Sequence, residues 1–169
     1  MKSCLIRHKR DLLFAVAGAI AGLLLISSLT TLELKRTNCL GICPVYTLRV
    51  SATGLVQYHG EFALVKGDRL SYISPIEAWQ IIWAALARGL LRFDNTYRKD
   101  DTDADGSYTC LSFGPLKKCV EIQASFGLPA APPELKAVNQ MIDEAANSVQ
   151  WTGTNQERLD AYQRGILKP

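Results

Sequence analysis

The sequence predicts an α+β fold: an antiparallel β-sheet with two amphipathic helices packed on one face, preceded by one N-terminal transmembrane helix. Three observations carry this reading. Short alternating segments recur between glycine-rich turns without strand–helix–strand alternation, two helical patterns interrupt them, and Leu12 to Ile26 is unbroken apolar or glycine. A chain of 169 residues is one domain's worth. With 48% hydrophobic and 21% charged residues it is too apolar to remain disordered.

The formal net charge of +3 is concentrated at the N-terminus. Lys2, Arg7, Lys9 and Arg10 precede the apolar run with Asp11 as the only acid, and beyond them acids and bases balance. A neutral domain lacks the basic patch that phosphate neutralisation needs, so nucleic acid is set aside as a partner. No charge appears between Asp11 and Glu33. As a helix that run spans about 31 Å, near the hydrocarbon thickness of a bilayer. Basic residues before it place the N-terminus in the cytoplasm and the domain outside a bacterial cytoplasmic membrane, in the periplasm or beyond. The alternative is a cleaved signal peptide and a secreted domain, although no Ala-x-Ala site is present. The predicted division is a basic segment 1–11, an anchor or signal 12–32, an exported domain 33–150 and a polar tail 151–169. Gly18 and Gly22 form a G-x-x-x-G that would let two anchors pack as a homodimer, though small residues are common in such segments.

Val45 to Val50 alternates with β-branched and aromatic residues and reads as a strand. Ala52-Thr53-Gly54 is a turn, Leu55 to His59 its partner strand, and 60–67 and 69–73 suggest further strands. Ser74-Pro75-Ile76-Glu77 opens a helix: serine caps, proline suits the first helical position, and glutamate completes a capping box. Ile76, Trp79, Ile82, Trp83, Leu86 and Leu90 recur at helical spacing, which makes both tryptophans core anchors. Gly89 ends the helix. Residues 93–106 form an acidic loop, and 108–113 with 117–124 form a hairpin around Gly114-Pro115. After Pro132-Pro133, Leu135, Val138, Ile142 and Ala145 line a second amphipathic helix. The stretch after Trp151 is polar and peripheral.

Cys4 lies before the apolar run, which leaves Cys39, Cys43, Cys110 and Cys119 in the exported part. An even count in an oxidising compartment favours disulfides, with three connectivities open. A two-residue turn at Gly114-Pro115 would set Cys110 opposite Cys119, within disulfide reach, and leave Cys39 with Cys43. Two soft thiolates at Cys39 and Cys43, with His59 as a third ligand, would alternatively suit copper or thiol–disulfide chemistry. Asp101-x-Asp103-x-Asp105-Gly106 matches the first half of a calcium loop, but Ser112 stands where a bidentate glutamate is expected. A solvated acidic loop is the plainer reading. His8 and His59 are the only histidines, and nothing places a nucleophile beside either. The sequence therefore points to a non-catalytic binding or interaction module, held at the membrane by its N-terminal helix, for a protein or envelope partner it does not identify. No cofactor is required; calcium and copper are the two candidates.

Gly41-Ile42-Cys43-Pro44-Val45-Tyr46, preceded by Cys39, resembles the G-x-C-P-x-Y signature of bacterial domain-of-unknown-function family 6438. The resemblance continues through Gly54-Leu55-Val56-Gln57-Tyr58-His59-Gly60, the helix from Ser74, Thr102-Asp103 and the helix after Pro133. It covers about residues 31 to 150, with Ser51 where a glycine is expected. The resemblance implies an exported domain of the predicted fold and brings no established activity.

Overall fold

The computed structural model describes residues 15–18, 21–22, 29–37, 42–98, 106–123 and 127–167. Among the described residues seven strands form one sheet: β1 (Thr30–Arg36), β2 (Val45–Ser51), β3 (Leu55–Phe62), β4 (Gly67–Tyr72), β5 (Thr96–Arg98), β6 (Ser107–Phe113) and β7 (Leu116–Gln123), ordered β4-β3-β2-β1-β6-β7-β5. Among the described residues the longer helices are α1 (Pro75–Ala87), α2 (Pro133–Ala145) and α4 (Asn155–Gln163), with the short α3 (Val149–Thr152) before the last.

The central strand is β1, flanked antiparallel by β2 and β6. Thr30, Leu32 and Leu34 are buried on one face, while Glu33 and Lys35 alternate onto the other. The same alternation sends Leu48 and Val50 of β2, Val56 and Tyr58 of β3, and Thr109 and Leu111 of β6 into the core. Ala78, Ile81, Ile82 and Ala85 of α1, and Leu135, Val138 and Ile142 of α2, join this core. Ser74 caps α1 by accepting from the Glu77 amide at 3.1 Å. At the β2–β3 turn Gly54 has φ +90°, and a Cβ there would stand 2.2 Å from the Ile73 carbonyl oxygen. Only glycine fits this crossing.

The predicted fold class needs correction in two respects. The sheet is mixed, not antiparallel: β5 runs parallel to β7, with Tyr97 beside Ile122. The reason lies in α1, which carries the chain from the β4 edge to the opposite edge, where the Glu121 amide bonds to the Asn95 carbonyl at 2.8 Å. A chain delivered by such a crossover can enter parallel, which a hairpin cannot do. The predicted transmembrane helix is also not supported, because among the described residues no helix is long and apolar enough to cross a membrane. The stretch assigned to it, 12–32, gives Thr30, Thr31 and Leu32 to β1. Thr-Thr-Leu-Glu-Leu-Lys-Arg already follows the two-residue period of a strand, masked by the absence of charge before Glu33. Single-pass anchoring at the cytoplasmic membrane, with the N-terminus inside, loses its support with the helix.

Two smaller expectations also change. Residues read as a polar tail contain the end of α3 and all of α4, and Trp151, Ala161 and Leu167 are buried. The tryptophans of α1 do not both anchor the core: Trp83 is 63% exposed and Ile76 73%. The helix is apolar around most of its circumference, so spacing alone did not identify the buried side.

Candidate functional site: the signature turn and the outer face of the first helix

The start of β2 lies opposite a bulge in β3. Register shifts between Val45 and Tyr46, with Glu61 of β3 as the extra residue, and Val45 and Tyr46 are both buried. Tyr46 is in phase with the buried Leu48 and Val50, and its phenol donates to Asp143 Oδ1 of α2 at 2.6 Å. The other oxygen, Oδ2, accepts from Arg36 Nη2 at 2.7 Å and Nε at 3.2 Å. One carboxylate thus joins β1, β2 and α2. Burial, then the Asp143 charge, pushes the Tyr46 phenol far above its ordinary pKa, against the opposing effects of Arg36 and Ser148. Burial disfavours the Arg36 cation, but Asp143 and Tyr46 outweigh it and raise its pKa. Tyr46 is therefore a fixed donor at neutral pH rather than a nucleophile or base, and its role is to clamp.

The clamp continues along the core face. The Tyr46 and Tyr58 rings lie 5.8 Å apart, and Trp151 stacks on Tyr58 at 4.8 Å. The Val65 amide donates to the Trp151 carbonyl at 2.9 Å. Arg158 of α4 donates to the Ile42 carbonyl at 3.2 Å, and also to the Gly153 carbonyl and the Asn155 side chain. The segment before β2 is thus held from the far end of the chain. Neither Asp143 nor Arg158 was legible as a partner, since contacts separated by 97 and 116 residues leave no local pattern.

The residues predicted to form sites do not converge on one centre. Cys110 and Cys119 face each other across β6–β7 and form a disulfide with Cα atoms 4.1 Å apart. Cys43 is disulfide-bonded too and so carries no thiolate in this form, whereas Cys39 lies outside the described residues. His59 sits on the uncovered face of the sheet with Nδ1 2.7 Å from Asp68 Oδ1. Asp101, Asp103 and Asp105 lie outside the described residues. Among the described residues no group of three His, Cys, Asp or Glu side chains could hold a metal. Gly18 and Gly22 occupy helical positions.

Among the described residues, two surfaces stand out as contact sites. On the uncovered sheet face, Thr47, Arg49, Gln57, His59, Asp68 and Leu70 border a depression of about 290 Å³. Arg49 binds Glu33 at 2.6 Å and His59 meets Asp68, while Arg69, also at its border, donates to the Asp68 carbonyl. The outer side of α1 differs. Pro75, Ile76, Trp79, Gln80 and Trp83 line an apolar groove of about 520 Å³, and the two tryptophan rings lie 6.3 Å apart. No ionisable side chain lines it, and its polar groups are the Gln80 amide and the indole N–H groups, so the groove is suited to burying apolar surface.

The architecture defines a small α+β domain with a mixed sheet covered on one face, a clamped turn into its second strand and an apolar helix groove. The model of a family described as Domain of unknown function (DUF6438) matches residues 30–146, more than half of the chain, and the chain belongs to that family. The matched span opens with β1 and closes at Ala146, the residue that ends α2, so α3 and α4 lie beyond it. No curated protein matches the chain.

Proposed function

We propose that the domain is a non-catalytic interaction module that holds a protein partner against the outer face of α1. The observation that carries this reading is the exposure of Ile76 and Trp83 beside Trp79 on one well-capped helix. Contiguous exposed apolar surface on a folded domain marks interaction sites, and tryptophan is enriched among residues that dominate binding energy. Covering the two side chains contributes about 1.5–3 kcal/mol each. The described polar clusters support structure instead: the Asp143 clamp is saturated and the His59–Asp68 pair is exposed. The Cys110–Cys119 disulfide is compatible with an oxidising compartment.

A photo-activated cross-linker placed at Gln80 of the full chain, used in its native host, tests this. A specific protein adduct should form, and it should be lost in Trp83→Ser while thermal unfolding stays unchanged. An adduct pattern indifferent to both Trp83→Ser and Ile76→Ser would overturn the reading.

A further inference from the structure

The free edge of β4 has a polarity that selects its own partner. β4 pairs with β3 and, among the described residues, with no strand on its other side. In an antiparallel pair, alternate residues aim both backbone groups at the neighbour and the residues between aim both away. Ile73 sets the phase, because its amide donates to the Gly54 carbonyl at 2.9 Å, one step beyond the Leu55–Tyr72 pair. Arg69 and Ser71 therefore bond to β3, whereas Asp68, Leu70 and Tyr72 turn N–H and C=O outward. The Asp68 carbonyl, consistently, accepts from Arg69 Nη1 at 2.6 Å. Leu70 is 65% exposed and Tyr72 75%.

We propose that β4 pairs antiparallel with β4 of a second copy about a two-fold axis through Leu70, joining two sheets into one. Opposed residues of an antiparallel pair share a face, so such an axis passes through a residue and pairs positions equally spaced on either side. An axis through Asp68 sets that carboxylate against itself, and one through Arg69 does the same with two guanidinium groups, which is unfavourable. An axis through Ser71 sends Asp68 opposite Ser74, past the strand end. An axis through Leu70 sets Leu70 against itself, Asp68 against Tyr72 and Arg69 against Ser71. No like charges meet. It is also the register that uses the outward N–H and C=O of all three outward residues. Open edges of this kind are templates for a further strand, and in this register the chain's own copy pairs with it without opposing like charges.

The test is sedimentation of the full chain over a concentration series, with variants. The wild type should dimerise. Leu70→Pro removes an N–H that β3 does not use, a position where an edge strand tolerates proline, and should weaken dimerisation at least tenfold with unchanged circular dichroism. Should Leu70→Pro fail to fold, Leu70→Asp places two carboxylates on the axis and should have the same effect. Leu70→Cys should give a covalent dimer on mild oxidation, because residue 70 opposes its own copy within disulfide reach; Arg69→Cys, opposite Ser71, should not. Gly22→Leu should leave the dimer intact. A monomer at every concentration, a dimer indifferent to both Leu70 substitutions, a Leu70→Cys chain that does not cross-link, or a dimer lost with Gly22→Leu would each overturn the proposal.

Discussion

Asp143→Ala withdraws the single acceptor shared by Arg36 and Tyr46, and its cost follows from the geometry. The Tyr46 hydrogen bond at 2.6 Å ends on a charged oxygen, a class that contributes about 1.5–3 kcal/mol. The Arg36 pair is more exposed, with side chains at 20% and 18%, so only part of the penalty of about 3–5 kcal/mol for breaking a fully buried pair applies. Allowing about 1 kcal/mol for it after solvent screening, Asp143→Ala should destabilise the fold by about 2.5–4 kcal/mol in total. At about 2–4 °C per kcal/mol, the melting temperature should fall by about 5–16 °C. Tyr46→Phe alone should cost about 1.5–3 kcal/mol. The double variant should cost less than the two singles together by about 1 kcal/mol or more, because the same contact cannot be lost twice. Urea unfolding followed by tryptophan fluorescence is the assay, since Trp151 packs on Tyr58 within the same cluster. Single-variant costs below about 0.5 kcal/mol, or strict additivity between the two sites, would refute the assignment of the Tyr46–Asp143 contact as a clamp.

Alkaline pH should weaken the fold through the same tyrosines. Burial pushes the Tyr58 phenol up to about 12 from 10.0, and Tyr46 is raised as well, so the unfolded chain releases these protons first. Their stabilising contribution is complete below about pH 10 and is lost as pH rises toward the folded values, at up to about 1.4 kcal/mol per pH unit for each group; melts of Tyr46→Phe should fall less steeply there. Selective reduction of Cys110–Cys119, which closes a loop with a sequence separation of 9, should cost about 2–3 kcal/mol, read as a lower urea midpoint with Cys110→Ser/Cys119→Ser as the comparison. Trp151→Ala, which removes a buried ring stacked at 4.8 Å, should cost about 3–5 kcal/mol; a loss under about 1 kcal/mol would show that the C-terminal helices add little to the core.

Short-range chemistry makes several elements legible from residue order. The β2–β3 hairpin follows from alternation and a glycine turn. The start of α1 follows from Ser74, Pro75 and Glu77, and the cap is observed. The Gly114-Pro115 turn sets the β6–β7 register, which places Cys110 opposite Cys119. Of the candidate contact surfaces, the residues of α1 were legible but the role of Trp83 was reversed. The helix presents apolar residues on nearly every side, so the 3.6-residue period carries little information about which side faces the sheet.

The amino-acid order thus specifies local features: where strands and helices start, how two hairpins fold back, and which residues are apolar enough to be buried. These depend on backbone preferences and spacings within a few residues. Long-range packing settled the rest. It drew Thr30–Leu32 from a charge-free run into the central strand, because two flanking strands could satisfy its backbone there. It laid β5 parallel to β7 after a helical crossover, and chose Asp143 as the partner of both Arg36 and Tyr46. It also packed Trp151 and Arg158 against the signature turn and the core, while leaving Trp83 in solvent. Each of these outcomes joins residues far apart in the chain, where pairing is settled by which surfaces meet and which charges find partners in the folded state, not by the identity of sequence neighbours.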